Sequence, residues 1–325
     1  MRVSIVIVNF RAWQHLRAAM DALLPGLPDD WEVIVVDNES EPGPFAEFES
    51  AYPRLRMIAN EANSGFGYGS NIGAATAGGD WLLFMNPDVV ATVDDIRALL
   101  NEMSTHPDVA ILAPRQVDTG GRAQKVFDEF PGALNQSRTL KSLARLLSPR
   151  RSPDPHAEHR ELVYCDWVTG SVLLIRRSDF ESLGGWSADF WMYAEDADLC
   201  RRAADRGMKV AYTPSVSVVH AHGGSSRINV AVKAMTKLEV IISKHVYVSR
   251  HIHGLRGLLA HGMIVLTRVP PIAIGALADL LTLRRVPALR VRGRMFGNLL
   301  RYYAGAIGRR TWRSERALAN IAQAS

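Results

Sequence analysis

The chain has 325 residues, of which 47% are hydrophobic, and this is enough apolar content for one large domain with an appended segment. Its two cysteines, Cys165 and Cys200, cannot form a disulfide framework, so we expect buried thiols in a reducing compartment. The N-terminus enters an apolar run at once, and we expect no signal peptide. The composition therefore excludes a disordered chain and a disulfide-stabilised secreted domain.

The net charge of +5 is distributed unevenly along the chain. Residues 1–226 carry 21 basic and 30 acidic side chains, whereas residues 227–325 carry 17 basic and 3 acidic ones, so the net charges are −9 and +14. A basic segment of this kind binds nucleic acid, acidic protein or an anionic membrane surface. We therefore predict a domain boundary after Ser226.

The first part alternates between strand and helix. Strand-like runs occur at 3–8, 32–36, 55–59, 81–85 and 109–113, with helix-like stretches near 12–24, 44–51, 68–78 and 92–104. Because the strands are almost uninterrupted apolar runs, this alternation predicts a mostly parallel sheet with helices on both faces. Residues 1–115 therefore form the predicted nucleotide-binding half of an α/β domain.

The pattern changes after residue 115. Residues 116–160 are polar and irregular, and within them 148–159 predicts an exposed, mobile loop. Residues 162–176 predict a strand, a turn and a second strand. Residues 194–206 predict a helix with an acidic first turn, and 208–219 predict one or two short strands.

The tail from about residue 228 is predicted to be mainly helical, and its most apolar part is 257–283. Five residues interrupt this part: His261, Arg268, Pro270, Pro271 and Asp279. We therefore expect no run of the roughly 18–20 apolar residues that span a bilayer. Basic clusters such as 283–294 lie beside the apolar stretches, and this combination favours a helical segment that lies on an anionic membrane surface. The alternative is a helical cap with a solvated basic face.

Polar residues stand where three predicted strands end. Asp37 ends the second strand, Asp88 follows the fourth, and His220 ends the last. Ligands of an open α/β sheet bind beyond the carboxyl ends of its strands, so Asp37 is a candidate for binding a base or ribose. Asp88 and His220 are candidates for sharing Mg²⁺ or Mn²⁺, because these cations bind oxygen ligands and Mn²⁺ also accepts imidazole. A simple turn at Asp88 and a surface histidine at position 220 are the alternatives.

Residues 63–73, NSGFGYGSNIG, form a glycine-rich turn that runs into a predicted helix. Such a turn lets backbone N–H groups approach a phosphate or a ring closely. The spacing matches neither the dinucleotide-binding pattern nor a Walker loop, which disfavours a dehydrogenase and a P-loop NTPase. A nucleotidyltransferase is also disfavoured, because no basic glycine-rich loop follows the first strand.

Seven motifs occur in the order seen in family 2 glycosyltransferases: VSIVIVNF, VVDNES, NSGFGYGSNIG, FMNPDV, DWVTGSVLLIRRSDFESLGGW, FWMYAEDADLCRRAADRGMKV and VVHAHGGSS. Over roughly residues 2–250 the chain most closely resembles the bacterial rhamnosyltransferase-like enzymes of O-antigen, capsule or cell-wall glycan assembly. The resemblance implies a glycosyltransferase A-type α/β fold, in which helices flank a Rossmann-like mixed sheet. A C-terminal helical, membrane-associating segment would follow this fold. In these terms 1–226 is the catalytic domain, whose acceptor half is 116–226, and 227–325 is the basic helical segment.

The resemblance also implies an inverting, metal-dependent glycosyltransferase that uses a nucleotide-sugar donor and Mg²⁺ or Mn²⁺. The residues expected to bind the nucleotide sugar are Asn9, Asp37, Asn63, Gly65, Asn71, Asn86, Asp88, Trp167, Thr169 and Gly170. Asp88 occupies the family's DxD metal-binding position, in which Asn86 replaces the first Asp, and His220 would be the second metal ligand. Asp196 is the expected general base and Glu195 would orient the acceptor, although the reverse assignment stays open.

By the same resemblance the leading donor is dTDP-L-rhamnose, with a UDP-hexose as the alternative. The expected acceptor is a polyprenyl-diphosphate-linked glycan or a polysaccharide, at the cytoplasmic, inner face of the cell membrane. A nucleic-acid partner is not expected, because the tail arginines alternate with aliphatic rather than aromatic residues. The sequence leaves open whether the chain forms a homo-oligomer. A non-catalytic scaffold with a nucleotide-binding fold is the rival function, and the clustered charges argue against it.

Overall fold

The computed structural model describes residues 1–39, 42–132, 153–221 and 229–324. Residues 148–152 of the predicted loop and the predicted boundary after Ser226 lie outside the described residues, and that boundary stays a prediction. The described residues fall into two compact units. The first unit comprises 1–130, 153–187 and 195–221, and the second comprises 131–132, 188–194 and 229–324.

The first unit begins with the predicted alternation of strands and helices. Its elements up to residue 117 are β1 (Val3–Asn9), α1 (Trp13–Leu23), β2 (Glu32–Asn38), α2 (Pro42–Ala51), β3 (Leu55–Asn60), α3 (Gly65–Thr76), β4 (Trp81–Met85), β5 (Val89–Val90), α4 (Val93–Thr105) and β6 (Val109–Val117). The later elements are β7 (Phe127–Asp128), β8 (Val163–Tyr164), β9 (Trp167–Val168), β10 (Val172–Arg176), α5 (Arg177–Ser182), α6 (Glu195–Asp205) and β11 (Lys209–His220). Helix α4 begins with a capping box, in which Thr92 and Asp95 satisfy each other's backbone N–H groups.

The sheet is mixed, and its strand order is β3-β2-β1-β4-β10-β6-β11-β5. Strands β3, β2, β1 and β4 are parallel, as predicted, and so are β6 and β11. Strand β10 lies antiparallel between β4 and β6, and β5 and β8 each pair antiparallel with β11. Because β10 is antiparallel to β4, its first residue, Val172, pairs with Met85 at the carboxyl end of β4.

Both faces of the sheet are buried. Along β1 the side chains alternate, so that Ile5 and Ile7 pack into one apolar layer and Val6 packs into the other. Helix α3 lies so close to the second face that a Cβ on Gly73 would stand 2.5 Å from Val6 Cγ1. This close approach explains the glycine at position 73 and fixes where the glycine-rich turn meets the sheet.

The second unit is helical, with α7 (Val230–His251), α8 (Gly254–Leu281), α9 (Pro287–Arg309) and α10 (Glu315–Ala324). Helix α8 runs through Pro270 and Pro271 without a break, over 28 residues. By length and composition alone it is the one helix among the described residues that could cross a membrane, and 22% of its most apolar window is buried. The prolines and charges that interrupt the apolar run therefore do not end the helix, and the expectation that this segment lies on a membrane rather than crosses it stays a prediction. A proline removes one N–H donor but does not stop a helix whose remaining backbone bonds persist.

Candidate functional site

The carboxyl ends of β1 and β2 hold two of the predicted nucleotide-binding residues together. The strands are parallel and their register pairs Asn9 with Asp37. Asn9 Nδ2 donates to Asp37 Oδ1 over 2.7 Å, and Asn9 Oδ1 accepts from the Ala12 N–H over 3.2 Å. Both side chains are buried. The Asp37 carboxylate is thereby fixed at the strand ends, where α/β folds of this kind bind a nucleoside.

A second polar network, which the sequence reasoning missed, anchors the start of α3. Asn38 Nδ2 donates to the Gly65 carbonyl over 2.9 Å, and Asn60 Nδ2 donates to Asn38 Oδ1 and Ser64 Oγ, each over 2.8 Å. Asn63 Oδ1 accepts from the Gly65 N–H over 3.1 Å. Gly65 has a φ of 79°, which favours glycine. The sequence shows that Asn38 directly follows Asp37, but its pairing in register with Asn60 becomes visible only in the structure.

Asn71 is held by backbone rather than by a side chain. Its Nδ2 donates to the Trp186 carbonyl over 2.8 Å, and its Oδ1 accepts from the Trp186 N–H over 2.9 Å. Both functions of the amide are therefore used to fix the segment that contains Trp186. The predicted contact of Asn71 with the nucleotide sugar stays a prediction.

The turn after β4 and the end of β11 bring Asp88 and His220 together. Val89 of β5 pairs with His220, and the Asp88 carbonyl accepts from the Ala221 N–H over 2.9 Å. As a result His220 Nε2 stands 3.4 Å from Asp88 Oδ1, with side-chain exposures of 6% and 12%. Asn86 is fixed through its backbone N–H, which donates to the Ser171 carbonyl over 2.8 Å.

Gln116 on β6 is a site residue that the sequence reasoning missed. It is 2% exposed, and its Oε1 lies 2.8 Å from His220 Nδ1 and accepts from Ser171 Oγ over 2.9 Å. A carboxamide oxygen only accepts hydrogen bonds, so Nδ1 of the His220 ring carries the proton. A histidine that binds a metal through Nε2 carries its proton on Nδ1, so the contact with Gln116 suits a metal-binding role for His220. No local pattern marks Gln116, because its partners come from other strands.

The donor set fits Mg²⁺ or Mn²⁺. Burial, the largest influence, raises the pKa of Asp88, whereas the hydrogen bond and charge interaction with His220, together with smaller contributions from a backbone hydrogen bond and from His15, lower it by more in sum; the net pKa therefore lies below its ordinary value and the carboxylate is ionised. An ionised carboxylate oxygen and an imidazole nitrogen suit these cations. Within the described residues no group of three or more His, Cys, Asp and Glu side chains could hold a metal. Mg²⁺ usually completes its coordination with phosphate oxygens and water.

Strand β9 and the turn from it to β10 hold three more predicted residues, Trp167, Thr169 and Gly170. Trp167 Nε1 donates to the Glu129 carbonyl over 2.9 Å, and the Thr169 N–H donates to the Val126 carbonyl over 2.8 Å. Gly170 leaves little space for a side chain, since a Cβ there would stand 3.1 Å from the Phe66 ring. These bonds fix the direction in which the Gly170 N–H points.

That N–H reaches Asp196, which lies in the first turn of α6. The Gly170 N–H donates to Asp196 Oδ2 over 3.1 Å, and the Ala197 N–H donates to Oδ1 over 2.8 Å. Burial raises the pKa of Asp196 above its ordinary value, although these backbone N–H groups oppose the rise. A carboxylate with a raised pKa is a stronger base.

The two acidic residues beside Asp196 in the first turn of α6, Glu195 and Asp198, make different contacts from those of Asp196. Asp198 forms an ion pair of 2.8 Å with Arg202, whose guanidinium also donates to the carbonyls of Leu183 and Gly185. Glu195 is buried, and it lies beside α3, because a Cβ on Gly67 would stand 3.7 Å from Glu195 Cβ. Of the three acids, Asp198 therefore has a structural role.

Comparison with known proteins identifies the family. Residues 4–181 match the model of glycosyl transferase family 2, which is more than half of the chain. The chain belongs to glycosyl transferase family 2. Residues 159–222 of this glycosyltransferase also match the model described as the N-terminal domain of galactosyltransferase.

Two relatives are named as rhamnosyltransferases, which confirms the predicted resemblance. The N-acetylglucosaminyl-diphospho-decaprenol L-rhamnosyltransferase of Mycobacterium tuberculosis is 30% identical over 236 residues, covering 67% of this chain and 75% of the relative. Rhamnosyltransferase WbbL of Escherichia coli is 26% identical over 230 residues, covering 67% and 83% of the two chains.

A solved structure confirms the predicted glycosyltransferase A-type fold. The mannosyltransferase PcManGT from Pyrobaculum calidifontis, in complex with GDP-Man and Mn²⁺, aligns with a TM-score of 0.53 at 16% identity. The alignment covers 92% of this chain and 85% of that one. At this identity the likeness concerns the fold.

Proposed function

We propose that this family 2 enzyme is an inverting glycosyltransferase that moves L-rhamnose from dTDP-L-rhamnose to a hydroxyl of a polyprenyl-diphosphate-linked glycan. The observation that carries the proposal is the buried Asp88–His220 pair, whose ring is oriented by Gln116. Asp88 follows β4, and the neighbouring strand β1 ends in Asn9, beside Asp37. The residues that would bind a nucleoside and its diphosphate therefore lie at one edge of the sheet.

The donor would be bound from its two ends. Asp37, oriented by Asn9, accepts hydrogen bonds from the base or ribose, while the start of α3 offers backbone N–H groups beside it. Asp88 and His220 would hold Mg²⁺ or Mn²⁺ near the diphosphate. When bound, the cation offsets the negative charge that the diphosphate gains as it leaves the sugar.

Asp196 would activate the acceptor. A sugar hydroxyl is a poor nucleophile at neutral pH, and removal of its proton by a positioned carboxylate contributes about 10²–10⁴-fold to the rate. The hydrogen bonds from Gly170 and Ala197 fix the Asp196 carboxylate, and its raised pKa strengthens it as a base. Attack from the face opposite the leaving diphosphate inverts the anomeric carbon. Glu195 would orient the acceptor.

Donor and acceptor are inferred from the relatives. Two of them are named for rhamnose transfer, and the name of the M. tuberculosis enzyme specifies an N-acetylglucosaminyl-diphospho-decaprenol acceptor. A UDP-hexose is the alternative donor. Asp88 and His220, which carry the proposal, would bind a diphosphate, and both donors contain one. A non-catalytic scaffold is the alternative from another class.

The second unit would bring the enzyme to the inner face of the cell membrane, where a polyprenyl-linked acceptor is anchored. Helix α8 exposes Leu255, Leu258, Leu266 and Leu277 to between 58% and 70%, and α9 exposes several arginines. Apolar side chains beside basic ones suit an interface with anionic lipid, at about 1 kcal/mol per basic residue. In a flotation assay, a larger fraction of the protein should therefore float with vesicles of phosphatidylglycerol than with vesicles of phosphatidylcholine.

The experiment that tests the function is calorimetric titration of dTDP, UDP and GDP into the protein with and without Mn²⁺, repeated on Asp88→Asn. We expect dTDP to bind with Mn²⁺, and Asp88→Asn to abolish the contribution of the metal. Asp196→Asn serves as the matched variant, because it should bind dTDP normally but lose transfer to a polyprenyl-diphosphate-linked N-acetylglucosamine. A folded protein that binds none of the three nucleotides would favour the scaffold, and preference for UDP would favour the hexose donor.

A further inference from the structure

Thr169 and Ser171 flank Gly170, whose N–H donates to the Asp196 carboxylate, and all four residues belong to the first unit. Backbone hydrogen bonds of 2.8 Å hold both ends of this turn, one at the Thr169 N–H and one at the Ser171 carbonyl. The residue between them is a glycine, which has the greatest backbone freedom. The direction of the Gly170 N–H therefore depends on what restrains its two neighbours.

The side chains of these neighbours contact each other and Gln116. The hydroxyl oxygens of Thr169 and Ser171 lie 2.9 Å apart. Ser171 donates its one hydroxyl hydrogen to Gln116 Oε1 over 2.9 Å, so the hydrogen between the two hydroxyls comes from Thr169. Gln116 Nε2 makes a longer contact of 3.5 Å with Thr169 Oγ1. Both hydroxyl hydrogens are thus used within the network, which favours a positioning role for Thr169 over donation to a sugar.

Gln116 connects the turn to the proposed metal ligands. Its Oε1 also lies 2.8 Å from His220 Nδ1, so this one oxygen accepts from the ring and from Ser171. A carboxamide oxygen has two lone pairs, and both are then used. Gln116 is 2% exposed and Ser171 8%, so water has little access to replace these partners. The position of the carboxamide therefore depends on the hydroxyls of the turn as well as on the histidine.

We propose that Thr169 and Ser171 form one support for two parts of the active site, the metal-binding ring of His220 and the carboxylate of Asp196. The hydroxyl pair orients the ring through Gln116, and it directs the glycine N–H that fixes the carboxylate. Thr169 and Ser171 are positioning residues, because they act through these neighbours. The inference rests on the proposed function, since it takes His220 as a metal ligand and Asp196 as the base. Loss of one hydroxyl should therefore impair metal-dependent donor binding and transfer together.

The first test is Thr169→Val, which keeps the shape of the side chain and removes its hydroxyl. We expect the Mn²⁺-dependent gain in dTDP affinity to fall about 10-fold, the lower end of the range for residues that support a metal ligand. At saturating donor and Mn²⁺ the kcat for transfer should also fall about 10-fold, because a small displacement of the base is costly, while the Kd for dTDP without metal changes less than about twofold. Thr169→Ser keeps the hydroxyl and should restore both quantities. If the wild type prefers UDP, the same measurements use UDP.

Thr213→Val is the matched control. Thr213 Oγ1 and Ser215 Oγ form an equivalent pair, 2.7 Å apart, on β11 of the same unit. Ser215 Oγ donates to Glu102 rather than to Gln116. This variant also loses a buried hydroxyl, but it should keep the Mn²⁺-dependent gain and kcat even where its melting temperature falls.

The outcomes separate a shared support from other roles. Folded Thr169→Val with a normal Mn²⁺-dependent gain, or with a normal kcat, would overturn the inference. Equal losses of nucleotide affinity with and without metal would also overturn it, because they would indicate direct contact with the donor. If Thr169→Val fails to fold, Ser171→Ala decides by the same measurements.

Two variants of the proposed site distinguish this inference from the proposed function. If Asp88→Asn keeps the Mn²⁺-dependent gain, or if Asp196→Asn keeps transfer, the proposed function fails and the inference with it. If the first variant loses the gain and the second loses transfer while Thr169→Val is normal, the inference alone fails.

Discussion

Replacement of Gln116 by leucine tests whether the His220 ring is prepared for a metal. Leucine keeps most of the volume and removes the oxygen that faces His220 Nδ1 and accepts from Ser171 Oγ. Without that acceptor the proton is free to move to Nε2, which stands 3.4 Å from Asp88 Oδ1. The ring would then donate to Asp88, and the lone pair that binds a cation would be lost.

The magnitude follows from two effects. Loss of the partner that orients a metal-binding histidine typically weakens metal affinity by about 10–100-fold, which is about 1.4–2.7 kcal/mol. Nδ1 of the buried His220 then faces an apolar group, which costs about 1–3 kcal/mol of folding stability, whereas Ser171 Oγ keeps its contact of 2.9 Å with Thr169 Oγ1. We therefore expect Gln116→Leu to fold less stably and to lose most of the Mn²⁺-dependent increase in dTDP affinity.

The assay is calorimetric titration of dTDP at saturating Mn²⁺ and without metal, with a thermal melt to verify folding. Gln124→Leu is the matched control, because Gln124 Nε2 donates to the His220 carbonyl over 2.7 Å and does not orient the ring. That variant should keep the Mn²⁺ dependence. If Gln116→Leu showed the same Mn²⁺-dependent gain as the wild type, the proposed role of Gln116 would be refuted.

Two further predictions concern stability. Burial raises the pKa of Glu239 to about 7 from 4.5, so the folded protein keeps a proton that the unfolded chain loses. Stability should fall by about 3 kcal/mol as the pH rises through this range, and thermal melts should show Glu239→Gln to be more stabilising at about pH 8 than at about pH 4. A Cβ on Gly73 would stand 2.5 Å from Val6 Cγ1, so Gly73→Ala should lower the free energy of unfolding by about 1–3 kcal/mol. Denaturant titration should show no such loss for Gly297→Ala, where a Cβ meets nothing within 4 Å; equal losses would contradict the packing argument.

The strands and their functional ends could be predicted because the signal is local. Strand β1 is buried on both faces, and this requires an apolar run that the sequence shows directly. Asp37, Asp88 and His220 each follow such a run, so their position at a strand end follows from the strand itself. The pairing of Asp88 with His220 follows from this rule and from the family resemblance.

Other features could not be predicted, because they depend on pairing between distant segments. Nothing local in Val172–Arg176 shows that this strand inserts antiparallel between β4 and β6. Gln116 looks like an ordinary polar residue at the end of a strand until β11 brings His220 to it. The buried Asp189 likewise forms ion pairs with Arg250 and Arg313, which come from the helical tail.

The single carboxylate at the metal position has a consequence for how the donor binds. Asn86 is neutral, and a histidine ligand carries no charge that offsets a cation, so Asp88 alone would leave a bound divalent cation with one uncompensated positive charge. In a partly buried site such a charge is costly unless an anion accompanies it. The diphosphate of the proposed donor would supply that anion, and its oxygens would provide further ligands. Metal and donor should therefore bind this enzyme together rather than independently, because each one removes the electrostatic cost of the other.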